Sequence, residues 1–333
     1  MFIMTDIPSF FQPLQAFLST QMNVPVTLSD SKPLAGGASR DTWLFTAATP
    51  EKSERWVVRR DLPTQMFEEA LTREQEFRVM DTAHQHGVKV AKVRYLCNDP
   101  SVLGGAFFVM EYMQGISIGV KVIHSPELAP ARALLPEQLA EQLARIHTIN
   151  TADLPFLAHT DAQQTIAQMY TVLDALAVKS PVWEWCLRWA QRHLPQESVT
   201  GFVHGDYRIG NLLIDEGGLS AVIDWEFGHI GDPNEELAYI CMRDWRFGNG
   251  KLHFAGISNR ERFLTAYERY SGQTVNRKSV DWWEVMGNIR WGIICMSQAN
   301  RHLSGQEPSV ELASLGRRSA EMQLEALRLI ERY

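Results

Sequence analysis

Short apolar, β-rich runs recur in the first third of the chain, at residues 26–28, 43–47, 56–59, 93–97 and 107–112. Gly, Pro, Asp and Ser punctuate them, and the pattern predicts strands. Between the third and fourth runs, residues 65–86 bring Phe67, Leu71, Phe77, Met80 and Ala83 near helical spacing, which predicts a helix stopped by Gly87. After Gln114 and Gly115 the texture changes. Residues 136–149 read as a helix with Leu139, Leu143 and Ile146 on one face, and 162–177 and 182–193 read likewise. A β-rich patch follows at 202–224, and helical periodicity then runs to the end. Strands first, then helices around one hairpin, predict an α+β protein in two lobes. The boundaries expected are 1–113 for a small β-rich lobe and 114–333 for a larger, mainly helical one.

The β-rich patch carries the densest candidate chemistry. "FVHGDYRIGNLLIDEGGLSAVIDWE", residues 202–226, holds His204, Asp206, Asn211 and Asp224 around two apolar runs. Reading 216–219 as a four-residue turn pairs Asp215 with Ser220 and sets Asn211 opposite Asp224. An amide oxygen and a carboxylate so placed suit a hard cation such as Mg²⁺, which takes few protein ligands. Asp206, in the loop entering the same end, can then act as a base beside the metal. Each residue alone also has a structural explanation: Asp206 as a turn former, Asn211 as a strand-end residue, Asp224 as an ion-pair partner. Their joint spacing argues against that explanation. His204 reads as a brace for the loop. Asp232, Pro233 and Glu235 read as a capping box with proline at the first helical position.

Composition narrows the class. The chain has 333 residues, 45% hydrophobic and 21% charged, with no apolar run long enough for a membrane span. Its start lacks the basic region and cleavage site of a secretory signal. The four cysteines are scattered without a CxxC pair, so buried thiols in a reducing cytoplasm are expected, not zinc or disulfides. A net charge of −7 argues against a general nucleic-acid binder. That charge is uneven: residues 241–333 are net +4 and residues 1–240 net −11. No membrane association and no protein partner is expected.

The motif block resembles the aminoglycoside phosphotransferase-like family, which is related to choline kinases. "HGDYRIGN", the hairpin, "IDWE" and the trailing "GDPNEELAYI" match its HGDxxxxN, (V/I)(I/L)DW(E/D) and GDPxxDLA elements in order. The branch most resembled is the one fused to acyl-CoA dehydrogenases in animals. The resemblance implies a bilobal protein-kinase-like fold and an ATP-dependent, Mg²⁺-dependent phosphotransferase acting on a small-molecule hydroxyl. It makes Asp206 the base, Asn211 and Asp224 the Mg²⁺ ligands, and Arg208 a charge near the transferred group. In "LAGGASRDTWLF", residues 34–45, Gly36, Gly37 and Ser39 let backbone N–H groups approach phosphates. Arg59, in "RWVVRRDL", stands where kinases carry Lys on the third strand, and Glu76, preferred over Glu74, is its expected helix partner. "FFVMEYMQG" would offer Met110, Glu111, Tyr112 and Met113 as the adenine-facing hinge.

Two rival readings stand beside this one. A kinase-like binding protein without catalysis is kept open by arginine at position 59. A metallohydrolase built on His204, Asp206 and His229 lacks a ligand spacing. For the acceptor, a basic, Trp-rich C-terminal region suits an apolar body with an anionic group, such as a hydroxyacid or hydroxyacyl thioester, better than a polyamine.

Overall fold

The computed structural model describes residues 10–34, 40–61, 70–196 and 199–333. The chain divides into two compact units. One comprises Met1–Gly115 with Ser220–Gly228; the other comprises Ile116–Leu219 with His229–Tyr333. Gly36, Gly37, Ser39 and Phe67 lie outside the described residues.

The first unit is built on an antiparallel sheet of five strands: β1 (Thr27–Pro33), β2 (Arg40–Ala48), β3 (Ser53–Asp61), β4 (Val93–Cys97) and β5 (Phe107–Glu111), in the order β1-β2-β3-β5-β4. Side chains alternate across a strand. On β3, Trp56 and Val58 therefore join a core with Phe45, Phe107 and Val109, and Arg59 turns to the opposite face. An unforeseen helix, α1 (Phe11–Met22), closes that core with Phe11, Leu14 and Leu18. Pro13 sits in its first turn, where a missing N–H costs nothing, and so does not break it.

On the other face lies α2 (Arg73–Gln85), shorter than the 65–86 expected. Thr72 caps it in a box with Gln75, and Leu71 leaves the helix to donate its N–H to Glu226 O at 2.8 Å. A single turn, α3 (Pro100–Leu103), precedes β5.

The second unit is mainly helical: α4 (Gly119–His124), α5 (Ala129–His147), α6 (Ala162–Ala175), α7 (Pro181–Arg192), then four short strands, then five more helices. Helix α5 begins seven residues before the 136 expected, and runs through Pro136. Burial of Ala131, Leu135 and Pro136 itself offsets the one lost backbone bond. The short strands are β6 (Gly201–Val203), β7 (Leu212–Asp215), β8 (Gly218–Val222), within which the boundary between the units falls, and β9 (His229–Gly231). The helices are α8 (Asn234–Tyr239), α9 (Arg260–Ser271), α10 (Arg277–Leu303), α11 (Val310–Leu315) and α12 (Arg318–Arg332). Helix α10 is the axis of this unit, with α8, α11 and α12 against it. Its Trp282 is fully buried and donates to Ala190 O at 3.0 Å.

The turn between β7 and β8 corrects one expectation. Strand β8 starts at Gly218, so the turn is Glu216–Gly217, two residues and not four. Gly218 takes φ +103°, and Gln138 accepts the Leu219 N–H at 2.7 Å while donating to Gly217 O at 3.0 Å. A tight turn with a positive-φ glycine replaces the wide one, and the register that set Asn211 opposite Asp224 does not hold. The four cysteines are free and buried, as expected. Among the described residues no helix is long and apolar enough to cross a membrane.

Leu14 tests the reach of the first core. It is fully buried, so Leu14→Ala is expected to cost about 3 kcal/mol of unfolding free energy. Urea denaturation followed by tryptophan fluorescence measures it, and a loss below about 1 kcal/mol would show that α1 is not part of the core.

Candidate active site

In the second unit, β6 and β9 pair antiparallel, Val203 opposite His229 and Gly201 opposite Gly231. Two chain segments thus leave this small sheet side by side: the loop from His204 to Asn211, and the segment that leads into α8. The residue that joins them is Glu236. Its side chain is 1% exposed. It accepts the backbone N–H of His204 at 2.9 Å and of Gly205 at 3.0 Å, and His147 Nε2 lies 3.0 Å away. His147 is held in turn by Tyr267 OH at 2.7 Å from Nδ1. Burial alone would raise the Glu236 carboxyl; the hydrogen bond and charge of His147, with His204, hold it below the ordinary glutamate range.

The loop so clamped presents Asp206. Its N–H donates to His204 Nδ1 at 3.2 Å, which makes His204 the expected brace. Arg208 Nε lies 3.0 Å from Asp206 Oδ1. Asn211 Nδ2 donates to the Asp206 carbonyl at 2.9 Å and to Oδ2 at 2.5 Å. The Tyr239 hydroxyl also bonds Asp206, and burial first, then the Asp206 charge, pushes that phenol well above its usual range. Asp206, Arg208 and Asn211 are therefore one cluster. Beneath the loop, the fully buried Tyr207 donates to Leu139 O at 3.0 Å. Arg208 stacks over the Trp245 ring, 4.6 Å from its centroid.

A narrow pocket opens at Gly205, Glu236 and Tyr239, and Trp283, Met286 and Arg290 of α10 line it too. Asp232 sits one residue before the cap position of α8. It accepts the Asn234 N–H at 2.9 Å and the Trp283 indole N–H at 2.8 Å. The expected capping box is not formed, because the Glu235 carboxylate turns to His229, 2.9 Å from Nε2. That contact also removes His229 from any ligand set with His204 and Asp206.

In the first unit, Arg59 is the organising cation. Its Nη2 donates to Asp224 Oδ1 at 2.6 Å and to Glu226 Oε2 at 3.0 Å, and its Nε is 3.3 Å from Glu76 Oε1. Glu76 rather than Glu74 is thus the helix partner; Glu74 accepts from Asn98 Nδ2 at 2.8 Å. Arg73, fully buried, pairs with Glu76 and lies 2.9 Å from Asp61. Burial opposes the charge on Arg59, but Glu76, Asp224 and Glu226 outweigh it and raise its pKa further. Asp224 adopts φ 67°, ψ 58°, a left-handed conformation that is costly without glycine. Sequence reasoning missed Glu226 and Glu236. Their signals were the Glu of "IDWE" and the third acid of "GDPNEE".

The hinge segment is engaged by its neighbours. The Glu111 N–H bonds Lys92 O at 2.9 Å, and the Tyr112 N–H bonds Arg55 O at 3.1 Å. The Tyr112 ring lies under the Arg55 guanidinium and the Glu111 carboxylate pairs with Arg94. Met110 faces Val57 and Val93 in the sheet, and Met113 follows the strand end.

The profile of the phosphotransferase enzyme family matches residues 30–283, and the chain belongs to that family. It is 31% identical over 240 residues to acyl-CoA dehydrogenase family member 10 of Mus musculus, covering 69% of this chain and 21% of that protein. The chain spans between a fifth and two fifths of the length of such relatives. A crystal structure of a Ralstonia eutropha protein assigned to the aminoglycoside phosphotransferases superposes with a TM-score of 0.75 at 24% identity, covering 97% of this chain and 98% of that one. An aminoglycoside phosphotransferase in complex with ADP and hygromycin B gives 0.59 at 16% identity, over 96% and 98% of the two chains. The fold is protein-kinase-like, with an N-terminal antiparallel sheet and a mostly helical remainder.

The Glu236 clamp has a pH signature. Its folded-state pKa lies below the ordinary value near 4.5. Its stabilisation is therefore present above that value and lost as pH falls through the lower, folded one. Glu236→Gln removes the acceptor for buried donors, which costs about 2–5 kcal/mol. Thermal melts across pH 3.5–7 should show the variant destabilised at neutral pH and the gap closing towards acid. A gap that stays constant with pH would contradict the clamp.

Proposed function

We propose that the protein is an ATP-dependent phosphotransferase whose acceptor is a hydroxyl of a small molecule bearing an anionic group. The observation that carries this reading is the cluster on the clamped loop. There Asn211 and Arg208 hold the Asp206 carboxylate on a backbone fixed by Glu236. In the proposed reaction the acceptor oxygen forms a bond to the γ-phosphorus. The bond from that phosphorus to the leaving ADP oxygen breaks, and the hydroxyl proton passes to Asp206. Arg208 lies beside the transferred group, where catalysis is mostly positioning and electrostatics. Arg59, oriented by Glu76, neutralises the other phosphates.

The donor set fits Mg²⁺. Because Asn211 spends its amide nitrogen on Asp206, its oxygen is turned away and can serve a cation. In the first unit, four carboxylates, those of Asp61, Glu76, Asp224 and Glu226, surround the two guanidiniums of Arg59 and Arg73, an acidic balance that favours a cation. Asn211 and Asp224 would hold Mg²⁺, which would supply positive charge for the phosphates. With the Glu111 and Tyr112 N–H groups bonded internally, Met113 becomes the first hinge residue whose N–H can serve adenine. Gly36, Gly37 and Ser39 are proposed to cover the phosphates. The nucleotide-bound relative supports a nucleotide donor.

For the acceptor, Arg290 lines the pocket beside Gly205 and Tyr239, and no carboxylate lies within ion-pair distance of it among the described residues. With Trp283 and Met286 it suits a hydroxyacid or hydroxyacyl thioester. Four buried free cysteines agree with the cytoplasm as the compartment. The rival reading, nucleotide binding without transfer, is favoured by one contact: Arg59 lies 2.6 Å from Asp224 and occupies the proposed metal ligand.

ATP consumption against a panel of hydroxyacids, their thioesters and amines of the kanamycin type decides between these. Asp206→Asn is expected to lower turnover about 10²–10⁴-fold while ATP affinity by calorimetry stays near that of the unsubstituted protein. Equal turnover in the variant would sink the assignment of the base. A second expectation concerns the panel itself. Activity should fall on the hydroxyacid side, and Arg290→Ala should raise KM for it about tenfold or more. Efficient phosphorylation of the amines would overturn the acceptor class.

A further inference from the structure

Below the loop, the second unit contains a cleft of about 970 Å³ that the proposed reaction does not use. Small-molecule sites span about 300–1,000 Å³, so the space is ample for a ligand with several groups. Its lining is polar, with six guanidinium or ammonium side chains against four carboxylates.

The carboxylates are shared. Glu284, 4% exposed, lies between Arg246 Nη2 at 3.1 Å and Arg260 Nη1 at 3.0 Å. Glu325 lies between Arg243 at 3.3 Å and Arg328 at 3.8 Å. Each acid therefore balances one of two guanidiniums. Arg260 also meets Asp281 at 2.6 Å and Glu261 at 4.0 Å, and Glu261 reaches Arg277 at 3.2 Å as well. At the exposed rim, Lys251 and Arg332 have no carboxylate within ion-pair distance among the described residues.

The arrangement is also fixed in advance. Arg246 is buried, and its Nε and Nη2 donate to Cys241 O at 2.9 and 2.6 Å. An arginine held by a backbone carbonyl loses little freedom when an anion arrives. His253 reports the local field: burial, then the charges of Arg246, Arg260 and Arg332, hold its imidazole below the usual range. A concave wall focuses such a field. Several arginine forks spread along one cleft match the tetrahedral, multiply charged oxygens of phosphate better than a single carboxylate.

We propose that this cleft binds a phosphate-bearing small molecule, with Arg243, Arg246, Arg260 and Arg328 as its walls and Lys251 and Arg332 at its mouth. The cleft is close to the proposed chemistry. The turn Arg243–Arg246 that supplies two of its arginines also carries Trp245, over which Arg208 stacks, and Arg208 pairs with Asp206. The phosphate belongs either to the acceptor itself or to a separate effector. The binding claim does not depend on the phosphotransferase reading.

Pyrophosphate is the probe. Calorimetric titration at low salt compares the unsubstituted protein with Lys251→Glu/Arg332→Glu, both rim positions exposed so that folding is spared, as a thermal melt checks. The proposal expects binding that weakens about tenfold or more in the double variant. Mg·ATP affinity, measured on the same two proteins, reports separately on the nucleotide reading and is expected to be equal in both. No pyrophosphate binding at millimolar concentration, or identical isotherms in the two proteins, overturns the cleft. Two arms then locate the phosphate. If 3-hydroxypropyl phosphate is turned over with KM raised about tenfold in the double variant, the phosphate is the acceptor's own. If pyrophosphate binds in the cleft and that ester is not turned over, the site takes a separate effector.

Discussion

The buried carboxylate of Glu236 is the constraint on which the second unit's chemistry rests. A loop carrying the proposed base, Asp206, must hold its backbone without the support of a helix or sheet. Two of its N–H groups, those of His204 and Gly205, would be unsatisfied in the interior. Glu236 accepts both, and His147 keeps it ionised. A charged acceptor suits the task because its hydrogen bonds are about twice as strong as neutral ones. It thereby ties the loop after β6 to α8.

The first unit solves a similar problem with opposite charge. Arg59 is nearly buried and must stay charged, so three carboxylates gather on it. They come from α2 and from the left-handed turn at Asp224. Removing any one leaves the others crowded around a single guanidinium, and removing Arg59 leaves buried acids unpaired. This explains how arginine can stand where kinases carry lysine. Its fork reaches Glu76 and Asp224 at once, which a single ammonium point does less well. The strand that carries it alternates faithfully: Arg60, the next residue, points away and pairs with Asp41 and the Leu103 carbonyl.

Taken together, the acidic cluster of the first unit and the arginine-rich cleft of the second give chemical sense to the uneven charge of the chain. Residues 1–240 are net −11 and residues 241–333 net +4. On the proposed reading, the acids of the first unit would hold the metal. On the same reading, the arginines of the second unit would receive an anionic compound, each partly balanced so that the fold tolerates their burial. Of the tryptophans in the basic region, Trp282 is fully buried and donates to Ala190, while Trp283 donates to Asp232 and also lines the pocket beside Gly205.

The sequence by itself determined much. β-rich runs between Gly, Pro, Asp and Ser fell on all five strands of the first sheet, although the first, 26–28, meets only the start of β1 (Thr27–Pro33). Motif spacing drew Asp206, Arg208 and Asn211 into one loop, since a short segment cannot separate them far. The family resemblance also preferred Glu76 to Glu74, which lies on the far side of the helix. What the sequence could not determine depended on partners distant in the chain. The two-residue turn at Glu216–Gly217 is fixed by Gln138 of α5, so local turn propensity gave the wrong length. Helix α5 passes through Pro136 because burial outweighs a lost hydrogen bond. Glu235 leaves its cap position for His229 on the strand just before the helix. Glu236 and Glu226 were invisible as key residues because an acid in a helix or turn looks solvated until tertiary packing buries it. Only then does the cost of an unpaired charge force it onto the loop or the arginine it holds.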